Sequence, residues 1–125
     1  MWRMVRLRRA QDGFTLIELL VVLVIIAVLV SISITTYIGF RDRAADRASQ
    51  AALRQAVPSA HAYANDEGGY VGMTAALLKS RYDAGLNHVE VVASDADSYC
   101  LRSTVNDKIW FGSGPPFTVS RSACA

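Results

Sequence analysis

A chain of 125 residues, with 13 Lys or Arg against 11 Asp or Glu and a formal net charge of +2, has room for one small domain at most. The positive excess is local: residues 1–13 hold four Arg and one Asp, and the remainder is close to neutral, so composition supports no specific nucleic-acid partner. Two histidines, two cysteines and no glycine-rich phosphate loop, metal-ligand spacing or nucleophile elbow leave enzyme chemistry, cofactor and metal without residues to carry them.

The first element is a basic leader, Met1-Trp2-Arg3-Met4-Val5-Arg6-Leu7-Arg8-Arg9. Phe14 to Phe40 follows as 27 residues with a single charge, Glu18. As a helix this run is roughly 40 Å long and spans a bilayer. Leu19 to Val30 is apolar all round, which places that stretch inside lipid or protein on every side. The leader then holds the N-terminus in the cytoplasm and sends the rest of the chain outward. An acidic residue at a membrane-helix centre costs roughly 2.5–3.5 kcal/mol on insertion scales, so Glu18 needs a partner. A secretory signal peptide cut near Ser31-Ile32-Ser33, or a plain signal anchor, accounts for the apolar run. Neither needs Glu18, or Gly13 directly before Phe14.

The segment Gly13-Phe14-Thr15-Leu16-Ile17-Glu18-Leu19-Leu20-Val21-Val22 resembles the class III signal sequence of type IV pilins and type II secretion pseudopilins. The resemblance implies that a prepilin peptidase cuts between Gly13 and Phe14. It also implies that Phe14 is N-methylated and that the mature helix polymerises with identical or homologous subunits on an inner-membrane assembly platform, having been held in membrane lipid until then. Cleavage leaves an α-amino group on Phe14, and Glu18 lies one turn along, where the helix dipole favours a carboxylate. Glu18 of one subunit paired with the Phe14 amine of a neighbour satisfies both charges in an apolar bundle. The family's usual helix-breaking proline would fall at Thr35 and its frequent glycine at Ala27, and neither is present, so no family-like kink is expected. The β-branched stretch Ser31 to Thr36 is the weakest helical segment. Ala27, Ser31, Thr35 and Gly39 recur every four residues, either as a small-residue face for close helix approach or as ordinary composition with hydroxyls bonded to the backbone.

Beyond Phe40 the chain turns polar and stays helical. Ala45, Ala48, Ala52, Ala56, Ala60 and Tyr63 follow helical spacing, Pro58 predicts a kink that frees the Arg54 carbonyl, and Gly68-Gly69 ends the helix. Thr74 caps a short helix over 75–79. Strands are expected at 88–93, 98–105 (Tyr99, Leu101 and Val105 on one face) and 108–111, with a hairpin turn at Asn106-Asp107, a loop at 112–116 and an edge strand at 117–120. His61 reads as a surface or packing residue rather than a base, and Tyr99, Trp110, Phe111 and Phe117 read as core rather than a binding platform. Cys100 and Cys124 would close a loop of about 25 residues, a bridge of roughly 3–3.5 kcal/mol in the chain-entropy description. In the family, a C-terminal disulfide commonly pins the tail to the sheet.

The expectation is an α+β chain of lollipop form. A long N-terminal hydrophobic helix carries a small C-terminal antiparallel sheet head on its distal half. The segments are a cleaved leader over 1–13, a transmembrane and assembly helix over 14–40 and an extracytoplasmic head over 41–125. The expected function is that of a structural subunit of a type IV pilus-like filament. The alternatives are a pseudopilin or minor pilin of a secretion or DNA-uptake machine, or a signal-anchored surface protein that never polymerises.

Overall fold

The computed structural model describes residues 13–124. The chain divides into two compact units between Tyr37 and Ile38. The helix α1, Leu16–Glu67, runs through both as 52 helical residues. Its start and stop are chemically marked. Thr15 and Glu18 form a reciprocal cap: the Glu18 N–H donates to Thr15 Oγ1 at 3.3 Å and the Thr15 N–H donates to Glu18 Oε2 at 3.0 Å. This arrangement satisfies two of the donors that a helix start leaves free. At the other end Gly68 takes φ 79° and donates its N–H to the Ala64 carbonyl at 2.9 Å, a left-handed cap that glycine adopts without a Cβ penalty.

In the first unit, residues 14–37 are all exposed and the helix is long and apolar enough to cross a membrane. The expected weak stretch holds as helix. Ser31, Ser33, Thr35 and Thr36 donate their hydroxyls to the carbonyls of Val28, Leu29, Ile32 and Ile32, at 2.7, 2.8, 3.2 and 3.5 Å. The bland alternative for this stretch is thus present: the hydroxyls are internally bonded, which suits a lipid or protein interior.

In the second unit, the C-terminal half of α1 packs on a four-stranded antiparallel meander of order β1-β2-β3-β4. The strands are β1 Val89–Ser94, β2 Tyr99–Val105, β3 Lys108–Gly114 and β4 Thr118–Ser120. A short helix α2, Ala75–Arg81, lies between α1 and β1 and is capped by Thr74, whose Oγ1 accepts from the Leu77 N–H at 3.2 Å. The buried face of α1 is Ala45, Ser49, Leu53, Ala56, Ser59, Ala60 and Tyr63. It is offset from the alanine spacing: Ala48 is exposed, and Ser49 and Leu53 take the centre. Ser49 is tolerated there because its hydroxyl donates to the Lys108 carbonyl at 2.9 Å. Leu53, Ala56, Ala60 and Tyr63 join Tyr70, Met73, Leu78, Leu86, Val89, Tyr99 and Leu101 in one core. The helix assignment continues unbroken through Pro58.

The sheet departs from expectation in three places. β3 runs to Gly114, so Gly112 and Gly114 belong to a strand rather than a loop. They face the core: a Cβ on Gly112 would meet the Phe117 ring at 2.8 Å, and one on Gly114 would meet Tyr99 Oη at 2.6 Å. Aromatic rings fill the space those positions leave. Along β2 the alternation Tyr99, Leu101, Ser103 is buried, while Val105 is only half-buried. Phe111 falls on the other face of β3, opposite Arg102 and Ser120 in register, and is no core residue. The Asn106-Asp107 turn is as expected, with φ 46° and 65°, the pair of positive values a tight hairpin needs. β1 carries a bulge between Val91 and Ala93.

Candidate assembly and processing site

Gly13, Phe14 and Thr15 precede the helix in non-helical backbone, and all three are exposed. Phe14 is 88% exposed, and apart from its chain neighbours no described residue lies within 4 Å of where a Gly13 side chain would begin. The leader residues preceding Gly13, which carry the basic part of the expected signal, lie outside the described residues.

Glu18 sits at the first turn of α1 against an apolar surface made by Phe14, Ile17, Val21 and Val22. It is the single charged side chain from Phe14 to Phe40. Its Oε2 accepts from the backbone N–H of Thr15, and among the described residues Oε1 has no hydrogen-bond partner. Thr15 stands in the motif named above, and Thr15-Leu16-Ile17-Glu18 also spells a capping box directly before an apolar run, a role not anticipated for it. The same carboxylate thus has a structural duty as well as the anticipated assembly duty.

Cys100 and Cys124 are joined, with Cα atoms 6.0 Å apart and a sequence separation of 24. This bridge ties the C-terminal tail to β2. A second attachment, not anticipated, ties the same tail to α1. Asp46 accepts from Trp110 Nε1 at 3.0 Å and from Arg121 Nη2 at 3.1 Å, and the Arg121 guanidinium lies 5.0 Å from the Trp110 ring centre. Lys108 Nζ stands 3.8 Å from Asp42 one turn earlier on α1. Both aspartates of this stretch are therefore turned toward the sheet.

The aromatic and histidine candidates of the head lie close together. His61 is exposed, with its ring 6.4 Å from Tyr70 and 6.3 Å from Tyr99, and the Tyr70 and Tyr99 rings are 4.8 Å apart. Burial, and secondarily Tyr70, pushes the Tyr99 hydroxyl up to about 12. Among the described residues that hydroxyl has no hydrogen-bond partner, and neither has the Ser103 hydroxyl. Among the described residues no three His, Cys, Asp or Glu side chains gather to hold a metal.

A prokaryotic N-terminal methylation motif matches residues 8–34, which places Gly13, Phe14 and Glu18 together inside one recognised segment. That segment, the long apolar helix, the antiparallel sheet and the tail disulfide define a pilin. Over 110 residues the chain is 34% identical to the type IV wide pilus major component PilA4 of Thermus thermophilus, covering 86% of this chain and 84% of the relative. The chain belongs to the type IV pilin family.

Proposed function

We propose that this chain is a filament-building pilin. It is made with a leader over 1–13 and cut by a prepilin peptidase between Gly13 and Phe14. It is then methylated on the Phe14 amine and held in the membrane by residues 14–40 until it polymerises, with residues 41–125 as its extracytoplasmic head. The observation that supports the reading is Glu18: one carboxylate in an otherwise apolar, exposed stretch, on the same surface as Phe14, with one oxygen bonded to its own helix start and the other without a partner among the described residues. An open carboxylate oxygen in an apolar setting calls for a cation, and cleavage at Gly13 produces one at Phe14 in every subunit. The exposed apolar surface of 14–40 is far larger than a solitary soluble chain tolerates, and in a filament it is covered by the same surface of other subunits. The relative's name describes the major component of a wide pilus, which favours a surface filament over a secretion-machine pseudopilin or a minor tip subunit.

The same geometry separates this reading from a signal anchor that stays single. Glu18→Ala removes a buried pair's carboxylate and leaves the amine uncompensated, a loss of about 3–5 kcal/mol when one partner of a buried pair is deleted. Insertion and cleavage should persist while filaments sheared from the cell surface disappear, in cells lacking the wild-type chain. Normal filament yield from Glu18→Ala would remove Glu18 from assembly and leave a plain membrane anchor.

A further inference from the structure

The second unit of the chain sorts its charges by position. On α1, Arg43, Arg47 and Arg54 stand at i, i+4 and i+11, which is one row along a helix of 3.6 residues per turn. All three are exposed. The row lies opposite the face formed by Ala45, Ser49, Leu53, Ala56 and Ala60, which is buried against the sheet. None of the three guanidinium groups has an ion-pair partner among the described residues, because the two neighbouring acids are used elsewhere: Asp42 by Lys108, and Asp46 by Trp110 and Arg121. The row therefore presents three positive charges over roughly 16 Å of helix with no acid on it.

The complementary charge lies at the other end of the same unit. The connection between β1 and β2 holds Asp95 and Asp97, both exposed and neither ion-paired among the described residues. This connection is pressed against the C-terminal end of α1: a Cβ on Gly69 would stand 2.7 Å from the Ala96 carbonyl oxygen. Asp66 and Glu67 at that end are already engaged, by the Tyr82 hydroxyl and by Arg81. The free acids of this end are thus Asp95 and Asp97, displaced along α1 from the arginine row. Asp107, a further exposed acid, lies at the opposite end of β2, beside Lys108.

We propose that the arginine row Arg43–Arg47–Arg54 is a subunit-docking surface and that its occupant is the Asp95–Asp97 turn of a second copy of this chain. The two patches differ, so the contact is heterologous, and a heterologous contact that does not close propagates into an open filament. Because the patches are axially displaced within one subunit, each copy offers its acidic turn to the next copy's basic row. The contact would set register and selectivity between subunits, as charge complementarity does at interfaces, while apolar burial supplies the bulk of the affinity. It rests on the filament-subunit reading and adds a contact that Glu18 and Phe14 do not make.

Charge exchange tests it in cells lacking the wild-type chain. Arg43→Glu with Arg47→Glu places like charges against each other and should lower sheared-filament yield by about tenfold or more, as should Asp95→Lys with Asp97→Lys. The four changes together restore opposite charges and should bring the yield back to within about twofold of wild type, a gain no lipid contact or single-chain effect would produce. Asp107→Asn, which removes an exposed charge and keeps a residue suited to the positive φ of that turn, is the control and should leave the yield unchanged. Processing and resistance of the cysteines to alkylation are followed in every variant, so that a chain that fails to fold is recognised and replaced by the milder Arg47→Gln and Asp95→Asn. Those milder variants should each weaken filaments more at low salt than at high salt, since exposed pairs are screened within about 8–10 Å at physiological ionic strength. Full yield from the arginine reversals, or no recovery in a folded four-fold variant, overturns the proposal. So does a loss confined to the arginine variants, which would assign the row to anionic lipid headgroups. Failure of the wild-type chain to form filaments would instead overturn the function itself.

Discussion

Single residues in this molecule carry more than one duty, and Glu18 is the clearest case. It completes the cap with Thr15, and the proposed pairing with a neighbour's Phe14 amine would be its second duty. Tyr99 is the opposite case. Its ring fills the space above Gly114 and lies tilted against Tyr70, while its hydroxyl is buried without a partner among the described residues. Removing an unsatisfied buried hydroxyl costs little, so Tyr99→Phe should leave stability at neutral pH unchanged or raise it by about 1 kcal/mol. The pH dependence has a definite sign. The folded-state hydroxyl titrates at about 12 rather than the usual 10.0, so the folded state resists ionisation. Stability from this group is fully present below pH 10 and is lost as pH rises through about 12. Thermal unfolding of the full chain in detergent across that window checks both statements. The wild type should lose stability more steeply than Tyr99→Phe, and parallel curves would show that the Tyr99 hydroxyl reaches water.

At the scale of elements, the C-terminal tail is the segment with the least secondary structure and the most attachments. Beyond the three-residue β4, it is held by the Cys100–Cys124 bridge and by Arg121 on Asp46 and Trp110. Cys100→Ser should lower the unfolding free energy by roughly 3 kcal/mol on the loop-closure description. The tail beyond Arg121 should then become a protease-sensitive end, while α1 and the sheet stay folded on their shared core. Limited proteolysis with and without the bridge reads this directly, and equal cleavage rates would show that the bridge is redundant. The elements also show what the sequence could disclose. α1, the Thr74 cap, the Gly68 stop and the Asn106-Asp107 turn were legible because each rests on local chemistry: periodicity, a capping hydroxyl, a left-handed glycine, a pair of turn residues. The extent of β3 was not, because Gly112 and Gly114 look like loop residues until Phe117 and Tyr99 are seen to occupy their side-chain space. The burial of Ser49 and Ser103 was hidden for the same reason, since a serine is acceptable inside only when small volume is wanted or a distant carbonyl, here that of Lys108, is in reach. The Asp46–Trp110–Arg121 junction joins residues 64 and 75 positions apart, a distance no local pattern encodes.

For the whole molecule, the decisive expectation concerns where it begins. N-terminal mass spectrometry of protein from the membrane fraction should find Phe14 as the first residue, carrying one additional methyl group. A start near Ile34 would indicate a secretory signal peptide, and retention of Met1 in a cell that makes pili would indicate an anchor. Thr15 caps α1 from the C-terminal side of Gly13, so the proposed cut would remove no cap. A bulky residue at position 13 should block the cut, while the cap, which does not involve it, stays formed.

The sheet has two open sides, and both are blunted. β1 is interrupted by its bulge, where Val92 stands half exposed, and β4 is only three residues long. A chain crowded at high density in a membrane meets copies of itself constantly, and straight unpaired strand edges would let those copies zip together through their backbones before any ordered assembly began. The bulge at Val92 and the brevity of β4 deny such pairing a run of free hydrogen bonds. Aggregation through the sheets is thereby discouraged, and side-chain recognition is left to decide how one copy meets the next.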